Sequence, residues 1–321
     1  MSILNRIFIL TLLILFTGCS KRVSILDISD KDLKYINELI ARPGEEVRFF
    51  PSYDNVPLAC TVIHPETPSK GAILFIHGLG ARSNLYLTLA DEFSENGYII
   101  YLLDIRGHGY SHGVRGHMPS SDAMRQDIHH FYEYVFSVEG NNQKYIAMGH
   151  SLGTYIWINA LESYTDMDID ALVLISGGTV NNLNTLRTIK ENSRYFSHIN
   201  KCKAFFSIFN HNIKPIHIVF PDIPQFEQSG FVQDYGFSFF SMFLNSENRF
   251  KNFYINTNIP ILMISGNQDE LFEAEKIEES YNLIENKNKK LISLEGKTHT
   301  SIIWSAGSHI NSWLENYFQT N

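Results

Sequence analysis

The chain has little cysteine, three residues in 321, and no set of cysteines and histidines has metal-ligand spacing. A disulfide-framework fold and a zinc-stapled fold are therefore excluded. Positive charge is also scarce, with 26 Lys+Arg against 34 Asp+Glu and a formal charge of −8. Nucleic-acid binding draws on clustered cations at phosphates, so this acidic balance argues against a nucleic-acid partner. Internal repeats and low-complexity tracts are lacking, which removes solenoids and disordered linkers from consideration.

What is present begins with an export-type leader. Arg6 supplies a short positive region, and Ile7 to Phe16 is an apolar stretch of about ten residues, too short to span a bilayer comfortably. Phe16-Thr17-Gly18-Cys19 follows and resembles a bacterial lipobox, with Phe16 in place of the usual Leu. Residues 1–18 then read as a lipoprotein signal peptide and Cys19 as the lipidated mature N-terminus. Acyl chains on Cys19 would anchor the protein to a membrane, since anchoring strengthens with each buried methylene. Ser20 after the cysteine is similar to the Gram-negative pattern that favours the outer membrane. An ordinary signal peptide or short anchor with an incidental cysteine stays open. Residues 19–45 read as a tether plus an N-terminal helix near Asp30 to Ile40.

Apolar content of 44% over about 300 mature residues suits one sizeable domain carrying an insertion. Glu46 to Pro51 and Leu58 to His64 read as a hairpin with Asp54-Asn55 in its turn. Gly71 to Ile76 is a continuous apolar run, as a parallel strand buried on both faces requires. Further strand patterns are Tyr98 to Leu103, Lys144 to Gly149, Ala171 to Ser176, Ile261 to Ser265 and Lys290 to Leu294. Helical patterns separate them: Leu85 to Asn96, Asp122 to Val138, Thr154 to Ser163 and Glu273 to Glu285, with Ser305 to Phe318 closing the chain. This alternation predicts an α/β fold with a mostly parallel eight-stranded sheet flanked by helices. Residues 46–178 and 257–321 would form the core, with residues 179–256 inserted. Past Cys19 only Cys60 and Cys202 remain; an exported location permits a bridge between them, but spacing cannot supply its geometry.

The chemistry centres on Gly149-His150-Ser151-Leu152-Gly153, at the end of an apolar run and the start of a helical pattern. G-x-S-x-G at a strand-to-helix turn is the nucleophile elbow. The turn is so tight that side chains at the two glycines would collide with the neighbouring strand and helix. A Gly-rich turn with a capping serine is the plain alternative. His77-Gly78-Leu79-Gly80 ends the third strand, where its backbone would lie beside the elbow. The N–H groups of Leu79 and Leu152 are then the candidate oxyanion hole. His77 reads as a structural histidine of that loop.

These segments, with four others, resemble the α/β-hydrolase superfamily. The resemblance is to its monoacylglycerol lipase/lysophospholipase-like branch, often grouped with serine aminopeptidases. Asp104 to Ser111 matches the branch's D-x-R-G-H-G-x-S segment, and His112 to His117 is similar to its continuation. Gly266-Asn267-Gln268-Asp269 matches its G-x-x-D loop, and His299 falls at the place of its catalytic histidine. The likeness covers residues 45–178 and 256–318; it implies an ester hydrolase with no metal or organic cofactor. The order Ser151, Asp269, His299 is the α/β-hydrolase order. A serine attacks only as its proton leaves, so an imidazole must accept it, and a carboxylate must orient that imidazole. Glu270 is a neighbour that could be mistaken for Asp269. His309 reads as a surface residue, and His108 and His117 as structural or pocket-entrance groups. Asp104 and Arg106 read as a buried salt-bridge pair.

The insertion is rich in Phe and Tyr, as an apolar acyl-binding wall or a membrane-facing lip would be. Most of these rings should simply pack. Phe237 to Leu244, read as a short amphipathic helix, is the best lipid-facing candidate. Such an apolar wall suits a lipid or small ester, and the resemblance implies monoacylglycerol or lysophospholipid. Asp222, Glu227 and Asp234 could instead bind a free amine, which keeps an aminopeptidase or amidase reading open. A catalytically idle surface binding module is the third reading.

Overall fold

Apolar runs of five to seven residues with no polar interruption need cover on both faces, and the chain folds to give it. A computed structural model describes residues 45–180, 197–207, 209–210, 212–220, 230–243 and 246–320. The expected signal peptide, Cys19 and the tether lie outside the described residues, as do Asp222 and Glu227.

The main sheet contains β1 (Glu45–Pro51), β2 (Pro57–Ile63), β3 (Gly71–Ile76), β4 (Tyr98–Asp104), β5 (Tyr145–His150), β6 (Ala171–Ile175), β10 (Ile261–Gly266) and β11 (Lys289–Leu294). Its strand order is β1-β2-β4-β3-β5-β6-β10-β11. β1 and β2 form the expected hairpin, pairing Pro51 with Pro57, and Asn55 in its turn takes a positive φ of 62°. β2 is antiparallel to β4, and all pairings beyond are parallel.

Alternate residues of β3 serve two separate cores, as strand pleating dictates. Ala72, Leu74 and Ile76 join Phe131 and Trp157 on one face; Ile73 and Phe75 join Tyr86, Phe93 and Ile310 on the other. The flanking helices are α1 (Leu87–Glu95), α2 (Ala123–Glu139), α3 (Leu152–Ser163), α7 (Ala274–Asn282) and α8 (Gly307–Thr320). Residues 152–161 of α3 are all buried, and Trp157 donates its indole N–H to the Met148 carbonyl on β5 at 2.9 Å. That bond ties the helix to the strand from which the elbow departs.

The described part of the insertion is a small antiparallel sheet, β7 (Ser197–Ile199), β8 (Ile216–Ile218) and β9 (Asp234–Tyr235), with α4 (Lys201–Ser207), α5 (Phe237–Phe240) and α6 (Ser246–Asn256). It is stitched to loops at the carboxyl ends of the main strands. Val232 N–H donates to the Gly80 carbonyl at 2.9 Å, Gly236 N–H to the Gly116 carbonyl at 2.8 Å, and Arg115 to the Gly230 carbonyl at 2.6 Å.

Two sequence expectations change here, and one open question closes. The segment beginning at Phe237 is turned outward only in part: Phe237 is exposed, but Phe239 is fully buried, its ring against Tyr235, Phe240 and His108, and Met242 is buried too. Elsewhere in the described insertion Phe205, Phe206 and Phe209 are exposed, with Phe205 meeting each of the other two edge to face. Arg106 is buried but does not pair with Asp104. It bonds Asp127 at 2.6 and 2.8 Å and Asp54 at 2.8 and 3.1 Å. Asp104 instead accepts the backbone N–H groups of Ser83 and Tyr110 at 2.7 and 2.9 Å. This buried carboxylate is held mainly by backbone dipoles, which spacing in the sequence does not reveal. The pairing of Cys60 with Cys202, left open by the sequence, does not form: both are free thiols, the first buried in β2 and the second exposed on α4.

Candidate active site

β5 ends at His150, and α3 begins at Leu152, so one residue makes the whole turn. That residue, Ser151, has φ 52° and ψ −115°, a conformation that L side chains rarely adopt. The turn closes only because both glycines lack a Cβ. One on Gly149 would fall against the backbone of Gly153 and Thr154; one on Gly153 would fall against the Ile76 carbonyl oxygen. Ser151 N–H donates to the Ile175 carbonyl at 2.9 Å, and its own carbonyl accepts from the Thr154 N–H and hydroxyl at 3.0 and 2.6 Å. The strained backbone is thus bonded on both sides.

The 77–80 loop runs alongside. A Cβ on Gly78 would sit 3.4 Å from the Ser151 Cβ, which fixes how closely the loop approaches the serine. His77 is buried, accepts the Ile105 N–H through Nε2 at 3.2 Å, and meets the Gly78 carbonyl through Nδ1 at 2.7 Å. Burial pushes its pKa down to about 4, so it is a neutral structural histidine, as read from the sequence. Leu152 follows the serine at the first position of α3, and Leu79 follows Gly78 on the adjacent loop, which are the chain positions an oxyanion site draws on.

Asp269 and His299 arrive from loops after β10 and β11. The Asp269 side chain is fully buried, and its Oδ2 lies 3.1 Å from His299 Nδ1. Its Oδ1 accepts the N–H groups of Leu271 and Phe272 at 2.9 and 3.0 Å. Burial pushes this carboxyl up, but His299 and the two backbone donors outweigh it and hold it below the usual carboxylate range. An ionised Asp269 makes Nδ1 of His299 the protonated nitrogen and leaves Nε2 as an acceptor. Phe272 covers the imidazole, ring centroids 5.5 Å apart.

Glu270, the neighbouring carboxylate, grips the histidine elsewhere, because its Oε2 accepts the His299 backbone N–H at 3.1 Å. His309 is exposed on α8. His108 is buried and meets the Tyr235 hydroxyl at 3.1 Å, while His117 meets the Ser238 hydroxyl at 2.7 Å; both tie the insertion to the body. Asp234 is exposed and faces His217 at 3.0 Å, so no acidic cluster forms around it among the described residues. Likewise, no group of three or more His, Cys, Asp or Glu among them converges as metal ligands.

An eight-stranded sheet of this order, with an elbow after β5 and Asp and His loops after β10 and β11, is the α/β-hydrolase arrangement. The family model for serine aminopeptidases of the S33 type matches residues 67–207. A monoacylglycerol lipase of Mycolicibacterium smegmatis is 29% identical over 135 residues, covering 41% of this chain and 46% of that protein. An uncharacterized abhydrolase domain-containing protein of Dictyostelium discoideum is 33% identical over 100 residues, covering 31% of this chain and 10% of that protein. The chain thus spans less than half the length of either curated relative. Among solved structures, a soluble variant of monoglyceride lipase from Saccharomyces cerevisiae superposes with a TM-score of 0.68 at 16% identity, covering 86% of this chain and 97% of that one. A Pyrococcus furiosus esterase gives 0.58 at 18% identity, covering 90% and 93%. The chain has the α/β-hydrolase fold. Over residues 67–207 its sequence is similar to the S33-type serine aminopeptidase family, and over 135 residues to a monoacylglycerol lipase.

Proposed function

We propose that this protein is a serine hydrolase cleaving carboxylic esters, with monoacylglycerol or lysophospholipid as substrate, through an acyl-enzyme on Ser151. The observation that carries the reading is the Asp269–His299 pair, in which the carboxylate Oδ2 lies 3.1 Å from Nδ1 of the imidazole. Ser151 Oγ attacks the ester carbonyl carbon as His299 Nε2 takes its proton. The carbonyl oxygen becomes an oxyanion facing the Leu79 and Leu152 N–H groups. His299 then gives its proton to the departing alcohol. Water repeats the route, its proton passing through His299 back to Ser151 as the acid leaves. Asp269 stabilises the imidazolium in both halves. The likeness to a monoacylglycerol lipase supports the lipid ester. We further propose that Cys19 carries acyl chains that keep the enzyme at a membrane of the cell envelope, where such lipids are found.

The test uses a form with Cys19 replaced, assayed on glyceryl monoesters, lysophosphatidylcholines and aminoacyl amides. Ser151→Ala and His299→Ala should each lower ester turnover by about 10⁴-fold or more with the fold intact. Substantial esterase activity in pure Ser151→Ala protein would overturn the mechanism. Turnover of amides alone would move the protein to the aminopeptidase reading, which the S33 family match favours. Release of the Cys19→Ala protein from the membrane fraction checks the anchor.

A further inference from the structure

The elbow's sterics restrict the two glycines and the serine but place no demand on the residue between Gly149 and Ser151. That residue is a histidine, almost wholly buried, and a buried imidazole is expensive unless both nitrogens are bonded. Both are. Nε2 lies 3.0 Å from the His299 carbonyl oxygen, so it carries the proton and donates. Nδ1 is then an acceptor, and the Tyr86 hydroxyl sits 2.9 Å from it. The Tyr86 oxygen in turn accepts the Gly78 N–H at 2.9 Å. The chain of bonds runs Gly78 N–H to Tyr86, Tyr86 O–H to His150, and His150 N–H to the His299 carbonyl. It has a single sense, because each end group can only donate or only accept.

The two ends of this chain matter. Gly78 immediately precedes Leu79, the oxyanion donor on its loop. His299 is the base. The His299 backbone N–H is taken by Glu270 and its carbonyl by His150, so the peptide planes on both sides are fixed. Asp269 then has only the ring to orient. The His150 and His299 rings are 4.8 Å apart. Burial, followed by His299 beside it, pushes the His150 pKa down to about 3. It therefore stays neutral beside an imidazolium that forms at His299 during turnover.

We propose that His150 is a positioning residue: with Tyr86 it couples the loop carrying Leu79 to the loop carrying His299, holding oxyanion donors and base in one register across Ser151. The proposal rests on the esterase reading above. It predicts an order among substitutions that packing alone would not give. The amide nitrogen of Gln reaches the place of a histidine Nε2, so His150→Gln keeps the bond to the His299 carbonyl. Asn reaches only the place of Nδ1, so His150→Asn keeps the Tyr86 bond and drops the other. His150→Ala drops both.

The experiment measures kcat and KM of the full chain on a short soluble ester, together with Ser151 labelling by a fluorophosphonate. The expected result is a fall in kcat of about 100-fold for His150→Asn and His150→Ala, within about tenfold of wild type for His150→Gln, with KM changed less than about threefold throughout. Tyr86→Phe, which keeps the ring, should lower kcat about tenfold. It carries the test if the alanine variant does not fold. Equal activity of Gln and Asn variants, or all four within twofold of wild type, would overturn the proposal. A wild type that neither turns over esters nor labels would be a failure of the esterase reading instead. In that case amide hydrogen exchange in residues 296–303 still decides. Faster exchange in the Asn and Ala variants than in the Gln variant supports the hold on His299, and equal exchange in all three overturns it.

Discussion

The strand ends of the main sheet and the insertion between β6 and β10 sit against one another, yet they are built by different rules. At the strand ends each group of the candidate site is held several times over. Ser151 has bonds on both sides of its strained backbone, Asp269 accepts three donors, and His299 is gripped at its N–H, carbonyl and ring. The described insertion consists of strands of two or three residues, helices of seven and four residues, and the eleven-residue α6. α6 is bonded to α3 through Arg249 and Asn252, while the short strands reach the body through single bonds and ring packing. Its Phe205, Phe206 and Phe209 remain exposed. The difference teaches where geometry is enforced. A site needing tenths of an ångström is placed on rigid strand termini, while the short strands of the insertion are left lightly tethered.

The sharpest way to break this comparison is at the elbow. Gly153→Ala drives a methyl group into the Ile76 carbonyl oxygen, a backbone atom in the central sheet that cannot yield. The expected loss is more than about 3 kcal/mol of stability with ester turnover down at least about 100-fold. Gly296→Ala is the control, since its φ of 71° is strained for alanine but nothing lies near the added carbon. It should cost about 1 kcal/mol. Urea unfolding of the two variants reads the difference, and equal losses would show that steric closure is not what the elbow depends on.

The next effect is a pH dependence confined to the body. Asp104 is fully buried, and burial pushes its carboxyl up to about 6 against the pull of the Ser83 and Tyr110 N–H groups. In the unfolded chain it titrates near ~3.9. The folded state therefore binds the proton more tightly. The stability this group lends is fully present below about pH 4 and is lost as pH rises through about 6, by roughly 3 kcal/mol in all. Asp104→Asn cannot titrate. The stability of wild type minus that of the variant should be most favourable at pH 4 and decline by that amount by pH 7. Parallel curves in urea unfolding at pH 4, 5.5 and 7 would refute the assignment.

The same contrast governs what could be read from the chain itself. Continuous apolar runs such as Gly71 to Ile76 have one stable environment, and the strands fall within a residue or two of their expected ends. Ser151, Asp269 and His299 stand on loops whose motifs exist because the turn or the chemistry allows few alternatives. Arg106 was legible as buried, but its partners, Asp54 and Asp127, lie far off in sequence and neither belongs to the motif. The roles of Tyr86 and Glu270 left no signal, because Glu270 meets the His299 backbone and Tyr86 meets the Gly78 backbone and a histidine 64 residues away. His150 stood inside the motif, and a histidine at an unconstrained elbow position was the available clue. In the insertion, a four-residue helix holds too few positions for a period of 3.6 to show. Phe239 and Phe205 look alike in sequence and differ entirely in burial.

The smallest effect tests how lightly the insertion is fastened. Tyr235 is fully buried on β9, its ring against Phe239 and Phe240 at 4.7 and 5.7 Å. Its hydroxyl lies 3.1 Å from His108 Nε2, and His108 Nδ1 faces the Arg106 carbonyl at 3.1 Å. Nδ1 therefore bears the proton, and Nε2 accepts from the tyrosine. Tyr235→Phe keeps the ring packing and removes one donor, leaving a buried acceptor unmet, for a loss of about 1 to 2 kcal/mol. The loss should appear as faster hydrogen exchange in residues 230–243, while exchange in residues 145–155 is unchanged and turnover of a short soluble ester stays within about threefold. If exchange at the elbow rises as well, the insertion is a structural part of the site, and the division between a rigid body and a lightly held cover fails.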